Sequence, residues 1–407
     1  MATDVKFIFV ATGFNDGRAN SFTAMATNHA IWMVKRLNAQ KGKAGSPLTP
    51  PAVVRFVHFD WQNDAIKFYE HPFPEKGSTD AKPVWKELSD ELKTFITKSA
   101  PFNGSRAGIS IVDVYRAVRK APRGSVLDVS IYSHGFIDGP VLENTGDAQR
   151  TAKTGEPIRT DGDLDGRVRS DFTPHMGEQD VKANKNALTE FRGGFASGAT
   201  FHVCGCHVQD IVDGTAFGQS SRSLLRSTVF EVIRAAYVVQ LAKNTAAGKE
   251  LLKKKKPAAV TLDMGYELDL EDEKNNSSDH LTNFTKAQLK TLHYALDPLF
   301  FPDKDTGALK FEKPFTEVIK FIARQTKLGY VFKAAEALPD VACFGAVPGS
   351  GGDYETSGAR LMFVPKNDWG QILVFFVNFM GITLDERNYG RFDAAGVAAI
   401  NERELNG

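Results

Sequence analysis

Four short apolar runs, separated by stretches of helical spacing, constrain this chain more than any other feature. They are VKFIFVATGF (5–14), AVVRFVHFD (52–60), VLDVSIYS (126–133) and ATFHVCGC (199–206). Near-continuous apolar runs of this length read as strands buried on both faces of a parallel sheet. After the first run, Phe22, Met25, His29, Trp32, Met33 and Leu37 recur at intervals of three and four, one face of a helix, with Asn20 or Ser21 placed to cap it. Val84, Leu88, Leu92, Phe95 and Ile96 predict a second helix, and Ile111, Val114, Tyr115 and Val118 a short third. Strands alternating with helices predict an α/β fold, a mostly parallel sheet sandwiched by helices.

The pattern changes twice along the chain. From 143 to 198 the apolar periodicity fades into turn-rich polar sequence, which predicts an insertion over one rim of the sheet. SLLRSTVFEVIRAAYVVQLA (223–242) then predicts a long, well-buried helix. Residues 245–285, with four consecutive lysines at Lys253–Lys256 and the polar stretch LEDEKNNSSDH, read as a linker or exposed loop. That lysine run is also a candidate for proteolytic nicking. Beyond it, FTEVIKFIARQ and LGYVFKAAEAL predict helices, DVACFGAVPG a strand ending in a turn, and GARLMFVP and QILVFFVNFM further strands.

Fifty basic and 49 acidic residues leave a formal charge of +1, so neither nucleic acid nor an anionic membrane is an expected partner. The first residues reach a strand without the basic start and cleavage site of a secretory signal. QILVFFVNFMGITL (371–384) is too short to span a bilayer. Three cysteines, Cys204, Cys206 and Cys343, do not make a disulfide framework. The expected setting is cytoplasmic, with signal-independent export as the alternative.

Chemistry concentrates where two strands end. Ligands and catalytic groups gather outside the carboxyl ends of strands in open parallel sheets. His134 and Gly135 follow the third run, while Cys204 and Cys206 close the fourth. A histidine and a cysteine brought together in this way form a nucleophile and acid/base pair. Gly135 would let a substrate approach the backbone and offers its N–H to an oxyanion. Two metal readings compete. His202, Cys204, Cys206 and His207 suggest zinc, but no second pair with zinc spacing accompanies them. DGDLDG (161–166) matches the start of an EF-hand-type loop through Asp161, Asp163 and Asp165. Phe172 stands where the bidentate Glu would be, so a polar turn is expected, with calcium as the alternative. No cofactor is required.

An apolar strand ending in His-Gly, followed by one ending in a small residue plus Cys, resembles the caspase-like (caspase–hemoglobinase) cysteine peptidases. In that family the catalytic cysteine follows Ala, Ser or Gly, which fits Gly205-Cys206 and not Val203-Cys204. AVPGSGGDYETSGARLMFV is similar to the small-subunit segment whose Pro-Gly turn leads into a cleft-lining loop. The interval from His134 to Cys206 exceeds the roughly 50 residues typical of caspases, a difference the polar insertion can absorb.

The resemblance implies a caspase-like three-layer architecture. Residues 1–244 would form a large-subunit-like part, and 286–407 a small-subunit-like part of the same domain. It implies peptide hydrolysis of a protein or peptide substrate, with Cys206 as nucleophile and His134 as acid/base. The N–H groups of Gly135 and Cys206 would form the oxyanion hole. The arginine with which caspases hold an aspartate is missing from SGGDYETSG, where Asp353 and Glu355 stand instead. With Asp16 and Asp60 after the first two strands, these carboxylates suggest a pocket for Lys or Arg. The alternatives are an inactive caspase-like scaffold and a different α/β hydrolase. The latter lacks a Gly-x-Ser-x-Gly elbow. A dinucleotide-binding fold lacks its glycine fingerprint after the first strand.

Overall fold

The computed structural model describes residues 5–13, 22–40, 53–72, 82–98, 109–136, 139–141, 171–178, 180–205, 259–263, 300–302, 309–327, 329–348, 350–354, 361–364 and 372–407. In chain order the first half comprises β1 (Val5–Thr12), α1 (Thr23–Gln40), β2 (Val53–Asp60), β3 (Ala65–Pro72), β4 (Lys86–Glu87), α2 (Asp90–Lys93), α3 (Ile111–Lys120), β5 (Val126–Tyr132), β6 (His134–Phe136) and β7 (Gly139–Val141). The second comprises α4 (Ala187–Gly194), β8 (Phe195–Cys204), β9 (Ala259–Asp263), β10 (Phe300–Pro302), β11 (Leu309–Pro314), α5 (Phe315–Thr326), α6 (Tyr330–Ala337), β12 (Ala342–Gly345), β13 (Asp353–Tyr354), β14 (Met362–Phe363), β15 (Thr383–Leu384), β16 (Gly390–Phe392) and α7 (Ala394–Asn406).

The protein is an α/β protein built on a nine-stranded mixed sheet of order β15-β16-β12-β8-β5-β1-β2-β3-β4. Its five central strands, β12, β8, β5, β1 and β2, are parallel, and antiparallel pairs flank them. The four apolar runs supply four of those five strands, and each is buried almost throughout. Smaller sheets join β10, β11 and β9, β13 with β14, and β6 with β7. Thus β9 lies inside the segment expected to be linker, and α4, with Phe191 fully buried, belongs to the end of the expected insertion.

Helices cover both faces. On one, α1 brings Met25, His29 and Met33 against the sheet. On the other, α3 and α4 pack through Tyr115, Phe191 and Phe201. Local chemistry sets the helix starts. The Asp113 carboxylate accepts from the Ser110 N–H ahead of α3, and Asp393 accepts from the N–H groups of Ala395 and Gly396 ahead of α7.

Two expectations are corrected. The second helix shrinks to Asp90–Lys93, capped by Ser89, because Lys86 and Glu87 instead pair with β3 as an edge strand. The run QILVFFVNFM is helical over 372–380, ending in a π-helical turn from Phe376 to Met380. Val374 and Val377 face solvent while Ile372, Leu373, Phe376 and Met380 are buried, so an apolar helical stripe imitated a strand. Gly381, at φ 73°, stops it with the left-handed conformation that glycine adopts without penalty. The expected cap at Asn20 or Ser21, the helix at 223–242 and the Lys253–Lys256 run lie outside the described residues.

Candidate active site

Tyr132 on β5 pairs with Cys204 on β8 at the carboxyl edge of two adjacent parallel strands. Ser133, buried in a bend, then turns the chain out of the sheet. His134 opens a separate hairpin in which it pairs with Val141, and Gly135 with Pro140. On the neighbouring strand Gly205 is buried directly after Cys204, and Cys206 lies outside the described residues. His134 and Cys206 thus each stand two positions beyond one paired couple, Tyr132 and Cys204.

The loop after β12 reaches the same place. Ser350 closes its turn by donating from N–H and Oγ to the Val347 carbonyl at 3.0 and 2.6 Å. A Cβ added to Gly352 would sit 3.1 Å from the Tyr389 hydroxyl and 3.7 Å from the carbonyl carbon of Gly205. A side chain here would have to displace the Tyr389 hydroxyl and the Met362 methyl by a few tenths of an ångström. Asp353 follows in β13, while Glu355 and Asp16 lie outside the described residues. Asp60 has a different setting. It is buried, and its carboxylate accepts from Thr23 Oγ1 at 3.0 Å, the Asn63 N–H at 3.3 Å and Asn63 Nδ2 at 2.7 Å.

Beneath the edge lies a buried polar cluster that sequence reasoning missed. Asp128, Ser130 and Tyr132 alternate along β5 and pair with Thr200, His202 and Cys204 on β8, so all six face α1. The Asp128 carboxylate accepts four hydrogen bonds. Its donors are His29 Nε2 at 3.0 Å, His202 Nδ1 at 2.9 Å, Ser130 Oγ at 2.7 Å and Thr200 Oγ1. Burial alone would raise its pKa, but the two histidines outweigh burial and hold it well below the usual carboxylate range. Tyr132 Oη lies 2.8 Å from His29 Nδ1 and 3.2 Å from Arg387 Nη1.

Arg387 comes from the turn between β15 and β16. Asp385 shapes that turn by accepting from the N–H groups of Arg387 and Tyr389, both at 2.9 Å, and from Arg387 Nε at 3.1 Å. The guanidinium lies 4.6 Å from the Trp32 ring centroid and 3.6 Å from Cys204 Sγ. The signal that could have found this cluster was Asp128 itself, a carboxylate in the middle of an otherwise apolar strand.

The surroundings decide what Cys204 and His202 can do. Burial pushes the Cys204 thiol up to about 12, and nearby Arg387 offsets only part of that. A buried thiol in this state is no nucleophile at neutral pH. Burial, reinforced by Arg387, lowers His202 to about 4, and its ring stacks on Phe344 at 4.4 Å. A guanidinium beside a thiol raised to about 12 makes Cys204 a poor zinc ligand. Among the described residues no three His, Cys, Asp or Glu side chains converge as a metal would require. Asp161, Asp163 and Asp165, the calcium candidates, lie outside them, as does His207. Among the described residues no helix is long and apolar enough to cross a membrane.

Set against protein-family models, curated proteins and solved structures, the chain matches none of them.

Proposed function

We propose that this chain is a caspase-like cysteine endopeptidase, with Cys206 as nucleophile and His134 as its acid/base partner. The observation that carries the reading is the pairing of Tyr132 with Cys204 on adjacent parallel strands, with each candidate two residues further along. A helix-covered sheet with a parallel centre and antiparallel margins is consistent with the three-layer architecture that the resemblance implies. The buried, weakly acidic thiol of Cys204 favours Cys206 over it as nucleophile.

In this reading the Cys206 thiolate attacks the peptide carbonyl carbon and the carbonyl π electrons move onto oxygen. The N–H groups of Gly135 and Cys206 hold that oxyanion. Collapse of the tetrahedral adduct breaks the C–N bond as His134 protonates the leaving amine. His134 then takes a proton from water, whose oxygen attacks the thioester and releases the acid and the thiolate. The approach of Gly352 to Gly205 supports the post-β12 loop as one wall of the cleft. Asp16, Asp60, Asp353 and Glu355 would favour Lys or Arg before the scissile bond, in a protein or peptide substrate, with Asp60 already holding Thr23 and Asn63. Neither a cofactor nor calcium is needed for these steps.

The test is thiol labelling of the folded protein, combined with a panel of fluorogenic peptides varied at the residue before the cleaved bond. Cys206 should react with iodoacetamide well ahead of Cys204, and Cys206→Ala should abolish hydrolysis while preserving the fold. Hydrolysis that survives Cys206→Ala overturns the mechanism. Faster cleavage after Asp than after Lys or Arg overturns the specificity. A folded chain that cleaves no peptide in the panel, and whose Cys206 is unreactive, is a binding module instead.

A further inference from the structure

The directions of the hydrogen bonds in the buried cluster are fixed by what its members can do. Asp128 as a carboxylate only accepts, so His29 must donate from Nε2 and His202 from Nδ1. A neutral His29 that donates from Nε2 has a bare Nδ1, which accepts the Tyr132 O–H. The Tyr132 oxygen then accepts from Arg387, which only donates. Polarity therefore runs one way, from Arg387 through Tyr132 and His29 to Asp128. All four side chains are buried.

A proton added to His29 Nδ1 reverses one link. Two N–H donors, from His29 and Arg387, would then face the Tyr132 oxygen, and the Tyr132 proton would exchange its imidazole acceptor for the weak sulfur acceptor of Cys204. For a buried hydroxyl that exchange is costly. We propose that the chain Arg387–Tyr132–His29–Asp128 is an acid-released latch. When His29 is neutral, the latch holds the β15–β16 turn and α1 against the ends of β5 and β8; protonating His29 breaks it at Tyr132.

The other charged and titratable groups around the latch do not all act in one direction. Burial lowers the His29 pKa from 6.5; Asp128 offsets part of this, and Arg387 from the turn and Arg36 from α1 add to the lowering. From β8, His202 is lowered to about 4 and Cys204 stays a thiol. Asp385 balances Arg387 within the turn. On β12 the neighbour of His202 is the uncharged Phe344. The latch rests on this packing alone; only its consequence for hydrolysis rests on the peptidase reading, since Tyr132 stands two residues before His134.

The experiment is hydrogen exchange of the full chain at pH 7 and pH 4.5, corrected for intrinsic rates, read at the peptide covering residues 383–392. The amides of Arg387 and Tyr389, bonded to Asp385, should exchange about tenfold faster at the lower pH, the scale of one lost hydrogen bond. Tyr132→Phe keeps the ring and removes the link, so this peptide should exchange fast at both pH values with no acid step. Wild-type exchange that stays unchanged at a pH where nitrogen NMR shows His29 protonated, or a full acid step in Tyr132→Phe, overturns the latch. Should that variant fail to fold, nitrogen NMR of the wild-type histidines decides. His29 must be the Nε2–H tautomer at pH 7 and titrate below 6.5; an Nδ1–H tautomer or an ordinary titration refutes the proposal. Peptide hydrolysis followed across the same pH range separates the latch from the site, because exchange reports the latch whether or not any peptide is cleaved.

Discussion

The two faces of β5 and β8 are built from alternate residues of the same two strands, yet they work by different physics. Toward α3 and α4 the strands present Leu127, Val129, Ile131, Phe201 and Val203, all buried. Toward α1 they present Asp128, Ser130, Tyr132, Thr200, His202 and Cys204, also buried. The first face is held by loss of apolar surface to water, which is non-directional and indifferent to pH. The second is held by one carboxylate saturated by four donors and linked through Tyr132 to Arg387. The polar row continues across the sheet, where Thr12 Oγ1 lies 2.8 Å from His58 Nε2. Stability on the α1 side is therefore conditional on protonation state, and on the α3/α4 side it is not.

The largest effect expected from breaking this contrast is that of Asp128→Ala. It strips four buried donors of their acceptor and should cost about 3–5 kcal/mol in urea unfolding. A cost under about 1 kcal/mol would mean that the cluster is not what holds this face. Acidification probes the same face without mutation. The His202 pKa is near 4 in the folded state against an ordinary 6.5, so the unfolded chain binds the extra proton first as pH falls. Stability is full above the ordinary value and is lost between 6.5 and 4, with a slope of up to about 1.4 kcal/mol per pH unit for this group. His58, also lowered to about 4 by burial, contributes in the same window. The stability contributed by the depressed carboxyl of Asp128 is present above its ordinary 3.8 and is lost only below it, so it adds nothing to the slope in this window. In His202→Asn, whose amide nitrogen can replace the Nδ1 donor, unfolding followed from pH 7 to 4 should show a shallower slope. An unaltered slope would remove His202 from the account.

A smaller effect sharpens the other side. Phe201→Leu replaces a ring packed against Phe191 and Phe172 with a smaller apolar group and should cost about 1–2 kcal/mol. The informative measurement is its pH dependence. The cost should be the same at pH 7 and pH 5, because the ring contacts of Phe201 are with Phe172 and Phe191, neither of which titrates. A cost that changes with pH would show the two faces to be coupled through the strands.

How much of this was legible follows the same division. Continuous apolar runs identify a buried parallel sheet, because burial on both faces writes the same signal at every position. The ends of β5 and β8 were legible too, since His134-Gly135 and the cysteines interrupt that signal. The polar row was harder to read. Asp128, Ser130 and His202 are visible in VLDVSIYS and ATFHVCGC, but their partners come from elsewhere: His29 from α1 and Arg387 from a turn far along the chain. No local pattern carries such a pairing. His29 counted only as one more position on the apolar stripe of α1, and Arg387 carried no signal at all. Likewise the helix at 372–380 was hidden because a stretch in which Asn378 alone is polar has almost no period to read.

The smallest expected effect concerns charges that lie outside both faces. On the outer side of α3 and α4, Arg119 bonds Glu178 and Glu190, each at 2.9 Å, and Asn184 at 3.0 Å. Glu190 is 51% exposed, whereas the Asp128 side chain is not exposed at all. The pairs have similar lengths, so distance alone would rank them together. Solvent separates them: the exposed pair gains little over its hydrated partners, and Arg119 retains Glu178 and Asn184 when Glu190 is neutralised. Glu190→Gln should therefore cost less than about 1 kcal/mol at low salt. It should cost almost nothing in 1 M salt, where charges are screened within about 3 Å. Urea midpoints of Glu190→Gln and Asp128→Ala, taken at both salt concentrations, make the comparison directly. The first difference should shrink with salt and the second should persist. If both respond alike, the α1-side cluster is reached by solvent, and a buried carboxylate no longer explains its strength.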